Sequence, residues 1–431
     1  MARELILFSL PLILSGVLQQ LYSWADAYII GHSGTDAQLL LAAVGATGPI
    51  TTLLLQCILG FTTGLSILTS QELGQGQKSS ACKIRSAFQP ILTGICLVCT
   101  VLVILFTEPL LRLMNTPDNI RNYACSYLQI VLVGMPFLAL YNLHTALLRA
   151  LGNTKIAFYS ILLSSLLNVV LDILFVLVLP YGIQGAAAAT AISQIVMAIY
   201  VAIYTKKRYP ELWIRTPADP ETKKNGFAFG TPPTLRNSIT SFGSLILQNF
   251  MNGFGTVTVL AVTTAYRVDT IMLLPLFNVG SAISTMVARF HGEGNKEKIR
   301  QCMISGTGVI VLISLMLTFS MFFLGSAFIG FFGVTGEALA FGKLFFRDIS
   351  LFYVPFGIAT ALRCVLEGIG DLKFSSTIGI TSLLIRIAGS YLLRPVIGNR
   401  TIAYAEAIAW IYMLVAILIR TAKKKPDLIP G

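Results

Sequence analysis

The chain has 431 residues, 55% hydrophobic and 12% charged, with a mean hydropathy of +0.77. A soluble domain carries about twice that share of charge, so soluble globular folds are excluded and a polytopic membrane protein is expected. The net charge of +12 does not describe a nucleic-acid surface, because the basic residues lie in short clusters between apolar runs, as topology signals do.

The first apolar run begins at once, with no cleavable signal peptide expected. Twelve runs of spanning length follow, at 5–30, 43–71, 86–107, 123–148, 156–179, 185–205, 235–254, 258–289, 302–325, 343–364, 374–393 and 401–420. The second and eighth are long, which implies tilt or an extension beyond the bilayer. Twenty-three Lys and Arg fall on one side of this arrangement and seven on the other, with Arg386 left inside a span. That bias places both termini in the cytoplasm of a multi-pass cell-membrane protein. Lys78 and Arg215 belong to the majority side.

Span 1 carries Asp26, with Gln19, Tyr22 and Ser23 on the same helical face as possible cavity-lining groups. Pro11 in that span weakens the helix and is a candidate hinge. Cys96 and Cys99 in span 3 form a CxxC, but on an apolar helix with no second pair they read as packing. His144 in span 4 is either a proton relay or a packed histidine, and packing is the expectation.

Span 5 holds Asn168 and Asp172 one turn apart, so both face the same way. A carboxylate at that depth costs about 2.5 to 3.5 kcal/mol on insertion scales, and such acids usually hold a proton, an ion or a charged partner. Two carboxylates, Asp26 and Asp172, in one low-dielectric chamber cannot both ionise cheaply, which suits proton exchange or Na+ binding. The bland alternative is that each braces a helix. Asn168, with Thr190 of span 6, offers an amide oxygen and a hydroxyl, fit either for a hard cation or for interhelical hydrogen bonding. Gln194 is a further possible lining residue.

Residues 206–234 form the only long polar connection, rich in Pro and Lys, and divide the chain into a six-span lobe at 1–205 and another at 235–431. Span 7 has no acid, and its Gln248 is a possible lining residue. Arg267 and Asp269 in span 8 read as an interfacial ion pair. Arg386 in span 11 is a further possible lining residue, which either neutralises Glu367 or Asp269 across the cleft or snorkels.

The halves repeat. GQGQK at 74–78 matches GEGNK at 292–296, LRALGNTK at 148–155 matches LEGIGDLK at 366–373, and Ala43–Val44 matches Ala261–Val262, all at an offset of 218. Pro11 matches Pro233 at 222. Six spans per half insert in the same direction, so the fold expected is all-α: two six-helix bundles related by pseudo-two-fold symmetry along the membrane normal, with a cavity between. The same offset carries Asn168 to Arg386 and Asp172 to Ser390, so the halves differ in charge.

The motifs SLPLILSGVLQQLYSWADAYIIGHSG (9–34), LAAVGATGPI (41–50), GQGQ (74–77), LRALGNTK (148–155), LNVVLDILF (167–175), GIQGAAAAT (182–190) and AYRVDTIMLLP (265–275) resemble those of the multidrug and toxic compound extrusion (MATE) transporters, over nearly the whole chain. The resemblance implies two six-helix lobes and drug efflux coupled to uptake of H+ or Na+. Within that family the chain is most similar to the DinF-like branch, whose cation site falls here on Asp26, Asn168, Asp172 and Thr190, with the kink proline at Pro11. The NorM-like branch uses acids on spans 7 and 10; here span 7 has none, and span 10 has none near Gly357, its Asp348 lying nearer the outer end. An antiporter of amphipathic organic cations is therefore expected, acting as a monomer among membrane lipids, with a flippase for lipid-linked sugars as the alternative. No Walker A, HExxH or GxSxG sequence is present, and the Gly-x-Gly loops lack the strand and spacing of a phosphate site, so no enzyme, cofactor or nucleotide is expected.

Overall fold

A computed structural model describes residues 1–32, 37–77, 79–179, 181–214, 216–217 and 219–428. Lys78, Arg215 and the end of the first motif at 33–34 lie outside them. Among the described residues the chain forms seventeen α-helices and no strand.

In the first half these are α1 (Ala2–Gly31), α2 (Ala37–Gly74), α3 (Ser80–Leu105), α4 (Thr107–Leu113), α5 (Asp118–Val133), α6 (Met135–Ala150), α7 (Lys155–Asp172) and α8 (Gly182–Arg208). The second half has α9 (Pro220–Asn252), α10 (Thr256–Met272), α11 (Leu274–Gly292), α12 (Lys296–Phe331), α13 (Gly336–Ser350), α14 (Tyr353–Gly368), α15 (Leu372–Ile397), α16 (Thr401–Lys423) and α17 (Lys425–Leu428). The twelve sequence spans map onto these helices, but three of them are broken. α5 and α6 meet at 40°, α10 and α11 at 41°, and α13 and α14 at 50°. Each break has a proline just inside the following helix: Pro136, Pro275 and Pro355. Proline has no N–H for the carbonyl four residues back, so Leu132, Ile271 and Leu351 lose that bond and the chain bends there. Span 8 is thus divided by a bend between α10 and α11.

The repeat is written in the backbone. Gly76 and Gly294 have φ of +82° and +68°, and Gly152 and Gly370 have +88° and +93°. Each matched pair ends a helix in the left-handed region that glycine enters without a side-chain clash. The turns that GQGQ and GEGN form are helix ends. Asn295 then caps α12 by accepting from the Lys298 amide at 3.0 Å.

Two compact units divide the chain. The N unit comprises Leu14–Thr69 and Gln77–Thr234, and the C unit comprises Met1–Ile13, Ser70–Gly76 and Leu235–Gly431. The expected linker at 206–234 falls in the N unit, and most of its described residues are helical. α8 runs on to Arg208, a 3-10 turn covers Pro210–Trp213, and α9 begins at Pro220. Pro at the first helical position and Asp at the cap start that helix. Asp219 Oδ1 accepts from the Thr222 amide at 2.7 Å, and Oδ2 pairs with Lys83 at 3.3 Å. Thr222 and Lys83 together hold the Asp219 carboxyl at about 2, well below the usual carboxylate range, so the cap persists at neutral pH and fails only in strong acid. Trp213 is pinned from two sides: the Arg85 guanidinium lies 5.0 Å from its ring and His144 stacks on it at 5.9 Å. His144 is therefore packed under the connection and far from open water, at 1% exposure.

Both units are apolar on their outer helix faces, the reverse of a soluble bundle. On α7, Leu166 and Val170 are about 60% exposed, while Asn168 and Asp172 are 2% and 0% exposed. The helix turns its hydrocarbon outward and its polar stripe into the bundle. In lipid that arrangement removes the penalty for exposing a carboxylate to acyl chains.

Candidate functional site

The polar stripe of α7 is the base of the N-unit cluster. Directly after Asp172 the helix widens into a π-helical turn over Ile173–Val178, where Leu179 N–H reaches Leu174 O at 2.8 Å. Such turns recur at functional sites because the extra residue re-aims neighbouring side chains. α8 starts against this turn. Its Gly185 leaves no room for a side chain: a Cβ there would lie 2.8 Å from the Phe175 carbonyl oxygen. The glycine lets the two backbones approach and holds the widened turn in place.

Asp26 from α1 lies beside Asp172, close enough for each carboxyl to sit in the field of the other. Two ionised carboxylates have no donor to offer each other, so contact between them requires a shared proton or a cation. Asp26 Oδ1, both Asp172 oxygens, Asn168 Oδ1 and Nδ2, and Gln194 Oε1 are all buried with no hydrogen-bond partner. None of the ion pairs among the described residues involves Asp26 or Asp172, so no basic side chain neutralises them. The Tyr127 phenol lies beside Thr190 of α8, and Tyr127 and Tyr22 both lie in the field of Asp26. Gln19 lies beside Tyr22. Gln194 sits against the α5–α6 break, where a Cβ on Gly134 would strike its Oε1.

The arrangement supplies two carboxylates, an amide oxygen, a hydroxyl and two phenols, all hard oxygen donors. These suit a proton or a small hard cation and offer no soft ligand. No three His, Cys, Asp or Glu side chains converge among the described residues.

Asp26, Asn168, Asp172, Thr190, Gln19, Tyr22 and Gln194 are thus brought to one region of the N unit. Ser23 is exposed and stands outside these contacts. Gln248, in the C unit, bonds within its own helix to Asn252 at 3.2 Å. Pro11 lies inside an unbroken α1, three residues before the chain passes from the C unit into the N unit. Tyr127 was not singled out by the sequence. It is one of several tyrosines in an amphipathic span, and nothing local marks it.

The C unit holds a second polar cluster that corrects three expectations. Arg267 and Asp269 do not form an ion pair: Arg267 is exposed, whereas Asp269 is buried and accepts from the Tyr353 hydroxyl. Arg386 bonds neither Glu367 nor Asp269. Its Nη2 donates to Glu406 Oε2 at 2.9 Å and to the Tyr266 hydroxyl at 2.7 Å. Glu367 is instead paired with Arg236 at 2.7 Å and accepts from Ser375 Oγ at 2.6 Å. Sequence spacing missed these partners because each lies on a different helix from the residue it meets, with α9, α10, α14, α15 and α16 joined through side chains.

A family model described as MatE matches residues 11–174 and 232–392. The chain is 28% identical over 413 residues to the probable multidrug resistance protein YpnP of Bacillus subtilis, covering 95% of this chain and 92% of that one. It is 24% identical over 434 residues to the probable multidrug resistance protein NorM of Thermotoga maritima, covering 98% and 91%. Among solved structures, an outward-facing multidrug resistance MATE family transporter of the MOP superfamily superposes with a TM-score of 0.92 at 20% identity, over 100% of this chain and 97% of that one. A MATE structure in complex with MaL6 gives 0.91 at 21%, over 99% and 97%. With both halves of the chain matched by the family model and the twelve-span helical fold shared over its whole length, the protein belongs to the MatE family of membrane transporters.

Proposed function

We propose that this transporter is a secondary antiporter that exports amphipathic organic cations in exchange for H+ or Na+, coupled at Asp26, Asn168, Asp172 and Thr190. The observation that carries the reading is the pair of carboxyl groups in contact with no basic side chain to balance them. Such a pair accepts a small cation readily and releases it when the surroundings favour charge separation. In the cycle proposed, cation uptake neutralises the pair. α1 then changes shape around Pro11, where the missing amide hydrogen weakens the ladder. The organic cation loses its electrostatic hold and leaves, and release of the small cation on the other side resets the site. Relatives named for multidrug resistance and multidrug export support a broad organic substrate range.

A lipid-linked sugar flippase is less well supported. Phosphate recognition needs available arginines, and Arg386 already spends its Nη2 on Glu406 and Tyr266.

The test is transport of a fluorescent organic cation by purified protein in vesicles. A pH gradient or a Na+ gradient, imposed separately, should drive dye against its own gradient, and the effective one identifies the ion. Dye movement indifferent to both gradients would remove the reading.

A further inference from the structure

The repeat offset of 218 carries Asn168, the amide of the N-unit cluster, onto Arg386, and Asp172 onto Ser390. At the matching position the C unit therefore holds a guanidinium. The helices match as well: α7 and α8 build the N-unit cluster, and their counterparts α15 and α16 supply Arg386 and Glu406.

The chemistry around the two positions is alike in its negative groups. The N unit gathers two carboxyls, Asp26 and Asp172, with phenol and hydroxyl oxygens. The C unit gathers two carboxyls, Asp269 and Glu406, with the phenols of Tyr266 and Tyr353. They differ by one built-in positive charge. The Arg386 guanidinium lies 5.7 Å from the Tyr266 ring centroid and is bonded to both Glu406 and Tyr266, whose hydroxyl is itself 3.4 Å from Glu406. Glu406 is 9% exposed and Asp269 7%. The titratable groups that face this pair are Tyr266 and Asp269 on α10 and Tyr353 on α14.

We propose that Arg386 is a tethered surrogate cation: its guanidinium takes, in the C unit, the place that an exchangeable H+ or Na+ takes in the N unit, and so keeps the C unit from taking up a cation. A guanidinium is always charged and cannot leave. One unit is then cation-exchanging and the other is permanently loaded. The physical reason is the cost of a buried, uncompensated carboxylate, which some cation must offset. Substituting the residue that the repeat supplies at the other position should restore exchange. The inference takes from the proposed function only that the N unit exchanges a cation.

The experiment compares thermal unfolding and radiolabelled Na+ binding of purified wild type, Arg386→Asn, Arg386→Lys and Arg386→Asn/Glu406→Gln, across pH and Na+ concentration. Wild type and Arg386→Lys should show one cation-sensitive process, removed by Asp172→Asn. Arg386→Asn should gain a second, seen as one additional Na+ bound or as a second pH-dependent stabilisation. That gain should survive Asp172→Asn and vanish with Glu406→Gln. If Arg386→Asn is poorly folded, low pH or high Na+ should rescue its yield, while the double variant should need no rescue. Arg386→Asn that is weakened equally at every pH and Na+ concentration, or whose new sensitivity persists without Glu406, would overturn the proposal. Failure of Asp172→Asn to remove the first process would count against the N-unit site and leave the Arg386 result to be read independently.

Discussion

Asp172→Asn is expected to abolish export of an organic cation against its gradient, lowering it by at least about tenfold, the equivalent of about 1.4 kcal/mol in coupling. The substitution preserves shape and removes only the charge. Asp172 is fully buried, and neither of its oxygens has a hydrogen-bond partner. A neutral amide fits that position without the charge penalty, so folding and insertion should be unchanged or improved. Coupling should fail because one of the two acids that compete for a single cation is gone. Asp26→Asn, from the half-exposed side of the pair, should impair transport in the same direction. Undiminished uphill export by folded Asp172→Asn protein would contradict the assignment.

The largest expected effect on stability lies elsewhere, at the Arg236–Glu367 pair. Glu367 is 5% exposed, its Oε1 takes hydrogen bonds from Arg236 at 2.7 Å and Ser375 at 2.6 Å, and it joins α9, α14 and α15. Removing one member of a buried pair leaves the other charged and unpaired, which costs about 3 to 5 kcal/mol. Glu367→Ala should therefore lower the Tm strongly. Replacing both partners by apolar residues of similar size, as in Arg236→Met/Glu367→Leu, should recover most of the loss, because the pair's own net contribution is small once desolvation is counted. Denaturation of the wild type and the two variants in one detergent checks this. Equal loss in the single and double variants would mean that the side chains act through packing alone.

These two sites show what the sequence made legible. Asn168 and Asp172 were readable because helix periodicity puts residues four apart on one face, and because a charge in a long apolar run is conspicuous. Asp26 stood out for the same reason. The glycine turns at 74–77 and 292–295 were readable as repeats because a positive φ demands glycine whatever surrounds it. The breaks in spans 4, 8 and 10 were not anticipated, although Pro136, Pro275 and Pro355 stand at them; Pro11 and Pro49 sit inside unbroken helices. A proline alone therefore does not decide between a kink and a continuous ladder; the packing around the freed carbonyl does.

The remaining features depend on contacts that no local pattern encodes. The π-turn after Asp172 packs closely against α8 at Gly185, and ILFVLV by itself reads as ordinary helix. Tyr127 joins the site only because α5 packs on α8. Arg386 finds Glu406 twenty residues away, through the pairing of α15 with α16, whereas the acids expected to neutralise it, Asp269 and Glu367, are taken by Tyr353 and Arg236. The division into units was hidden for a related reason. α1, α2 and α9 each pass from one unit to the other partway along their length, so uniform apolar helices give no sign of the boundary.

Cation exchange at the carboxyl pair is tested most directly by running the transporter in reverse. Vesicles containing purified protein and loaded with an organic cation, diluted into dye-free medium with no imposed ion gradient, should move H+ or Na+ in the direction opposite to the dye. Each exit should be matched by a fixed number of ions, and Asp172→Asn should abolish the ion movement. Rapid dye exit with no accompanying H+ or Na+ flux in the wild type would contradict the account.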